Sequence, residues 1–430
     1  MPNQFWRPLC LGALLTCTWF GSTRADAVDF AFTGFGSIGY AVSDKDFQYL
    51  RYIDDRGTFK VDSLVGAQIE VRFSPEWGAT VQGVASAPRT RDEALEAKIR
   101  WAFISFRPDN DWLFRAGRAR PPVFLNTQNA EVGATYDQVR LPVEIYSLSP
   151  VYDIDGAAIT KTWMRDNAEI NLDAYWGKTD VKFRLPFQRD PAARTLPQLS
   201  GIPADQYFQE NITAMGVVLS HTSGPLFLRG GVHRATIKFA QPISETFTPT
   251  AFPAPPPFGG TLWVGQNPQD KVDVTLLTLG ADWRSENWRI TGEYGQRIVR
   301  DTKLGVGSKS GYVTVARTLG KWIPYVTHAR LHSDRETRKL YENVNATPVP
   351  LGAQGPPLFL PSNLHQILAD SMIVYDQYSN TLGASYSFSA TSKLKFEWMR
   401  TKVGIASAFV DGDVHNKAFN VFSVSYSIVF

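Results

Sequence analysis

From Asp62 onward, apolar and polar residues alternate along this chain with a period of two. In DSLVGAQIEVRF, residues 62–73, Val65, Ala67, Ile69, Val71 and Phe73 form one face, while Gln68, Glu70 and Arg72 point the other way. Ile99, Trp101 and Phe103 oppose Glu96, Lys98 and Arg100 in the same manner. Ile170, Leu172, Ala174 and Trp176 oppose Glu169, Asn171, Asp173 and Tyr175, and Leu394, Phe396 and Trp398 oppose Lys393, Lys395 and Glu397. Successive side chains of a strand point to opposite sides, so each segment predicts a strand with one apolar and one polar face. Sixteen such runs are predicted, near residues 28–42, 58–73, 77–87, 94–106, 112–120, 151–164, 167–179, 209–222, 225–239, 271–284, 287–300, 310–319, 322–334, 372–389, 392–404 and 415–430.

A soluble antiparallel sheet alternates too, so the connections must decide what the apolar face meets. Every even-numbered run passes to the next through a tight turn, such as Ser74-Pro75-Glu76, Arg165-Asp166, Ser285-Glu286 or Ala390-Thr391. Odd-numbered runs are followed by longer loops, up to residues 180–208, 240–270 and 335–371. Short turns at one end and long loops at the other predict an all-β, transmembrane antiparallel β-barrel. The Pro-rich pieces at 249–260 and 349–361 read as stiff external loops. A further hairpin hidden in either would raise the count from sixteen strands to eighteen.

Composition supports a lipid-facing outer surface. Aromatic residues make up 13% of the chain although mean hydropathy is only −0.19, and the rings recur at segment ends and alternate positions, as girdles require. Residues 1–27 read as a secretory signal, with Arg7, an apolar run from Leu9 to Phe20 and the Ala25-Asp26-Ala27 triplet. Both cysteines, Cys10 and Cys17, lie inside it, which leaves residues 28–430 as a single barrel domain without disulfides or thiol metal ligands. A charge of +3 on 430 residues argues against a nucleic-acid partner.

Other chemistry is weakly supported. Gly34, Gly36 and Gly39 match a dinucleotide-binding spacing, but no helical stripe follows, so a glycine-rich first strand is preferred and no cofactor is expected. His328 and His332 have zinc spacing only on a helix; on a strand four residues rise about 13 Å, too far to share an ion. None of His221, His233, His328, His332, His365 and His415 lies in a nucleophile motif, although His233 and His328 fit lumen positions. A lipid- or peptide-hydrolysing outer-membrane barrel is the competing class, and a channel selective for an anionic or carboxylate compound is the competing transport reading.

The chain ends FNVFSVSYSIVF, with Phe422, Val424, Tyr426, Ile428 and Phe430 on one face and Ser423, Ser425 and Ser427 on the other. This resembles the terminal signal of outer-membrane barrels, and Ala116-Gly117-Arg118 is similar to the Gly-Arg that ends the fifth strand in porins. The whole resembles the Gram-negative trimeric porin family. The resemblance implies a homotrimer in the outer membrane, surrounded by lipid and passing small hydrophilic solutes and ions. It also implies that the third external loop, Pro121 to Pro150, folds into the lumen as a constriction.

Parity aims Arg72 and Arg100 inward and sets Arg118 and Arg120 on one face against Arg115. Both sets point into the lumen only if Gly117 hosts a bulge. The family's Gly-Arg favours Arg118 and Arg120 as the constriction pair, with Glu131, Asp137 and Glu144 facing them from the loop. Such an array sets a transverse field across a narrow opening and leans toward anions; it also fits a loop pinned to the wall by ion pairs.

Overall fold

The structure, a computed structural model, describes residues 28–88, 95–149, 153–186, 205–305, 307–412 and 414–430. The expected signal segment and both cysteines lie outside the described residues. The barrel strands are β1 (Asp29–Ser43), β2 (Leu64–Arg72), β3 (Trp77–Ser86), β4 (Glu96–Phe106), β5 (Trp112–Ala119), β6 (Ile154–Arg165), β7 (Ala168–Pro186) and β8 (Asp205–Ser223), followed by β9 (Leu226–Phe252), β10 (Gly260–Arg284), β11 (Trp288–Val299), β12 (Ser308–Arg317), β13 (Trp322–Ser333), β14 (Tyr375–Ser389), β15 (Ser392–Ser407) and β16 (Ala418–Val429). They form one closed antiparallel barrel of sixteen strands, each corresponding to one predicted run.

Closure is made by β1 on β16, from Phe35 opposite Val429 to Ser43 opposite Val421. Gly34 and Phe430 continue it, exchanging main-chain hydrogen bonds of 2.7 and 2.8 Å. A sheet in hydrocarbon has no water to satisfy an open edge, so a closed ring is what permits these strands to span.

The two faces follow the alternation. Ile69, Val81, Ile104, Val217, Leu279, Val326, Leu382 and Phe422 are exposed on the outside. Inward positions are polar and covered, including Ser423, Ser425, Ser427, Gln82 and the Thr314–Thr327 hydroxyl pair at 2.7 Å. Near the short turns, rings gather into a belt: Trp77 lies 4.5 Å from Phe106, and Trp322 lies 4.9 Å from Tyr386.

Three departures from the sequence reading have local causes. The pairing of β3 with β4 shifts between Gln82 and Gly83, opposite Arg100. The extra residue turns Trp101 and Phe103 inward and leaves Ile104 on the lipid side, so Ile99, Trp101 and Phe103 do not share a face. The stretch 240–270 is no separate hairpin, because β9 and β10 run on to Phe252 and Gly260 and lengthen their own pairing. Residues 335–371 hold three helices, α2 (Arg335–Ala346), α3 (Leu351–Gln354) and α4 (Leu364–Asp370), instead of strands. Tyr341, Val344 and Ala369 of this segment, with Met372 just after it, pack with Phe247 and Ala406 over one side of the barrel. The count therefore stays at sixteen.

An arginine at mid-belt tests the outer face. Leu279→Arg replaces a side chain that is 63% exposed outside the barrel, and is expected to destabilise the protein by about 2–4 kcal/mol in lipid vesicles. Ser425→Asn, inside the barrel, is expected to cost much less in the same denaturant titration.

Candidate functional site: the loop inside the barrel

Pro121 and Pro122 end β5, since proline donates no ladder hydrogen bond and bars the preceding residue from helix. The chain then turns inward, and residues 121–149 lie within the barrel, carrying the single-turn helix α1 (Val143–Tyr146). Its apolar residues Val123, Phe124, Ile145 and Leu148 pack on Leu276, Tyr312, Ala329, Leu331 and Tyr375 of the wall. Gly295 of β11 makes room for them: a Cβ there would meet Leu148 Cδ1 at 2.7 Å.

Around this patch, wall side chains hold the loop's main chain. Glu293 accepts hydrogen bonds from Leu125 N–H at 2.7 Å and from the Tyr146 and Tyr312 hydroxyls at 2.9 Å each. Glu397 accepts Val139 N–H at 3.2 Å and the Tyr325 hydroxyl at 2.8 Å. Lys395 donates to the carbonyls of Gly133 and Gln138 at 2.6 and 2.9 Å, and its ammonium sits 4.2 Å from the Tyr136 ring centroid. Arg229 and Arg297 donate to the carbonyls of Phe124 and Leu148 at 3.0 and 3.3 Å. Arg140 of the loop pairs with Asp62 at 2.6 Å and donates to Ser423.

The sequence-predicted residues divide into separate groups. Arg120 is buried and pairs with Glu131 and Asp153 at 2.9 Å each. Arg100 joins the same cluster, 3.0 Å from Glu131, 3.4 Å from Asp153 and 3.5 Å from Glu96. Burial raises the Glu131 pKa, but Arg120 and Arg100 outweigh it and hold that carboxyl below the usual range. Asp137 and Glu144 do not face these arginines. Asp137 pairs with Lys393 at 2.8 Å and accepts the Ser385 hydroxyl at 2.9 Å on the opposite wall, and Glu144 accepts from Gln377 at 2.9 Å. Burial again raises the Asp137 pKa, and Lys393 and Arg289 overcome it and hold the carboxyl low.

Arg118 is a correction. It shares the outer face with Phe114 and Ala116 and forms a two-point pair with Asp155, at 2.8 and 2.5 Å. Arg115 is the one that faces inward, its guanidinium 5.7 Å from the Phe103 ring centroid. Gly117 has a φ of +126°, and a Cβ there would collide with the Ala102 carbonyl, yet the ladder passes through it without a register shift on either side. The bulge at Gly117 that would have aimed both sets inward is therefore absent. Arg118 and Arg120 part company because the strand stops at Ala119, and alternation has no hold on the residue beyond it. Arg72 sits at the turn end of β2, opposite Asp29 and Gly78, remote from the loop. His328 also points outward, 2.8 Å from Asn380, whereas His233 faces inward between the Tyr175 hydroxyl at 2.7 Å and the Thr278 hydroxyl at 3.1 Å.

The residues that sequence reasoning left without a role are the wall partners: Asp62, Glu96, Asp153, Glu293, Lys393, Lys395 and Glu397. Their inward parity was legible for Glu96, Lys393, Lys395 and Glu397; the loop atom each one meets was not.

A closed barrel of sixteen strands with an apolar belt, a polar inner wall and one loop packed inside has the fold of Gram-negative outer-membrane porins. Neither a family model nor a curated protein matches this sequence. Solved structures do. OmpF of Salmonella typhi, solved with daunomycin, aligns over 93% of this chain and 97% of its own, at 9% identity and a TM-score of 0.50. OprB of Pseudomonas putida, in its high-pH structure, aligns over 94% of each chain with the same identity and TM-score. At such identity the likeness is one of fold.

Two tests address the loop's attachment. Glu293→Ala strips an acceptor from one backbone N–H and two hydroxyls, at about 1–3 kcal/mol for each buried group left unpaired; it is expected to make the loop open to added protease. Because Glu131 and Asp137 have lowered pKa values, the stability they contribute is fully present above the ordinary carboxyl range, near pH 4, and is lost as pH falls through their lowered values. Protease resistance of the loop is expected to hold from neutral pH to about 4 and to fall only below it, read at each pH itself with a protease active there, an aspartic protease in the acid range.

Proposed function

We propose that this protein is an outer-membrane channel for passive diffusion of small hydrophilic solutes, with the loop of residues 121–149 as its constriction. The observation that carries the reading is that this loop lies inside a closed barrel, held by wall side chains of β9, β11, β15 and β16. Glu131 ties the loop to Arg100 of β4 as well, and the opening in this reading lies against β5 to β7, where Arg115, Asn171 and Asp173 face inward. In this reading Arg100, Arg120, Glu131, Asp137 and Glu144 set the position of the loop, and a small anion preference comes from Arg115 and Arg229, which form no direct ion pair among the described residues, Asp173 and Glu293 acting on them only from a distance. Three copies assemble, as the family resemblance implies.

Planar-bilayer recording of the purified protein is expected to show stepwise conductance; a silent barrel overturns the reading. In a salt gradient, replacing Arg115 and Arg229 together with glutamine is expected to move the reversal potential toward cations. Arg118→Gln, on the outer surface, is expected to leave it unchanged.

A further inference from the structure

High on β7, β8 and β9 the inner wall turns apolar, and one acid, Glu210, stands in it. The ladder passes through this patch without a register shift, so parity fixes the directions of the side chains. On β8, Ile212, Ala214 and Val218 are covered, while Met215, Val217 and Leu219 between them are exposed on the outside. Glu210 faces inward with Phe208 and Ile212. It lies opposite Val181 on one side and Phe239 on the other; Phe183 is opposite Phe208, one step higher, and Ile237 is opposite Ile212, one step lower. Phe183 and Phe239 pack on the covered cluster that holds Val181, Ile212 and Ile237. The carboxylate is therefore half-buried among aromatic rings and branched apolar side chains.

Among the described residues no cation and no hydrogen-bond donor meets this carboxylate. The charges around it are engaged or point elsewhere. Arg184, near the head of β7, pairs with Asp411, and Arg51 donates to the Tyr207 hydroxyl at 3.2 Å and to the Pro88 carbonyl at 3.1 Å. Asp180, Lys182 and Lys238 have the opposite parity and are exposed on the outer face, as are Lys271 and Asp273 of β10. The next titratable groups down the inner face, Tyr175 and His233, share the row of Gly216 and bond to each other at 2.7 Å. Burial, with no charged neighbour to oppose it, raises the Glu210 carboxyl to about 7.

Height places the patch in the outer vestibule. Trp163 of the lower aromatic belt shares a row with Ile170 and His221. Glu210 is eleven residues from His221 along β8; at about 3.4 Å per residue and a tilt of roughly 40°, it stands roughly 29 Å above that belt, beyond a ~25 Å apolar band. There it fastens no loop and completes no ion pair, although an acid among apolar side chains loses hydration. A small metal ion would need several oxygen ligands, and no group of three or more acidic, histidine or cysteine side chains suited to a metal gathers among the described residues. An organic ammonium differs: it needs one counter-charge, and its alkyl groups settle on aromatic faces.

We propose that this patch binds organic ammonium compounds in the outer vestibule, the cation held by the Glu210 carboxylate and its alkyl groups lying against Phe183, Phe208 and Phe239. A carboxylate supplies charge, and the ring faces supply both apolar contact and the attraction of their quadrupoles for a cation. The neutral carboxyl offers no counter-charge, so binding is full above neutral pH and is lost as pH falls through the raised value; a bound cation draws the group toward its charged form and releases a proton. The inference needs an inner surface that solute reaches from outside and is independent of conduction.

The test titrates the purified protein, in an uncharged maltoside detergent, with choline by isothermal calorimetry. The uncharged isostere 3,3-dimethylbutan-1-ol and sodium ion serve as the other arms. Choline is expected to bind Glu210→Gln roughly tenfold or more weakly than wild type, and Phe239→Leu, which keeps apolar bulk and removes a ring face, several-fold more weakly. The isostere is expected to distinguish none of the three. From about pH 8.5 to about 5.5 the wild-type affinity is expected to fall roughly tenfold or more, with no such change in Glu210→Gln. Heat-modifiable migration shows that the variants are folded, and the pH series on wild type needs no variant. Equal choline binding by wild type and Glu210→Gln, isostere binding as tight as that of choline, or no choline binding at all overturns the proposal. Displacement of choline by sodium ion at matched concentration would make this an inorganic cation site and overturns it too. A barrel silent in the bilayer that binds choline overturns the conduction reading alone, and one that conducts without binding choline overturns this inference alone.

Discussion

In hydrocarbon an unpaired backbone N–H or C=O has no water to turn to, and each one left open costs several kcal/mol. Everything else in this protein depends on how that demand is met. Sixteen strands pair in sequence order, and the last returns to the first through the ladder from Phe35–Val429 to Ser43–Val421. With the ring closed, side chains no longer have to protect the main chain. They are free to divide by parity, apolar toward lipid and polar toward the inside, and that division produces a tube with a polar lining.

The same demand recurs where the chain leaves the ladder. Residues 121–149 bring a mostly irregular main chain into the barrel, where its polar groups need partners. The wall supplies them: Glu293 and Glu397 accept loop N–H groups, and Lys395, Arg229 and Arg297 donate to loop carbonyls. Charged side chains in the lumen are therefore spent largely on positioning. Arg100 and Arg120, which look from the sequence like a bare electrostatic ladder, are shared between Glu131 and Asp153. Buried pairs of this kind add little stability over an apolar substitute, but removing one partner strands a charge, so they impose one loop position over others.

The outside of the barrel carries information as well. Apolar residues there need only be compatible with lipid tails, and charges are expected at the boundaries. The side formed by β13 to β16 and β1 departs from that uniformity, its apolar surface recessed into a groove. Cations meet carboxylates of the same chain on both faces: Arg120 meets Glu131 and Asp153 inside, and Arg118 meets Asp155 outside.

The residues by themselves determined which segments are strands, where the short turns lie and which side chains share a face, because a period of two is a local property of the extended chain. They also marked Pro121-Pro122 as the end of β5 and the following stretch as the one to fold inward, the latter through resemblance. Tertiary structure alone decided what breaks that period. The register shift opposite Arg100 inverts Trp101 and Phe103, since a bulge depends on what the partner strand offers. The end of the strand at Ala119 separates Arg118 from Arg120, sending one to Asp155 outside and the other to Glu131 and Asp153 inside. Asp137 and Glu144 find Lys393 and Gln377 hundreds of residues away; only barrel closure brings those positions across the lumen from β5, and no spacing along the chain encodes it.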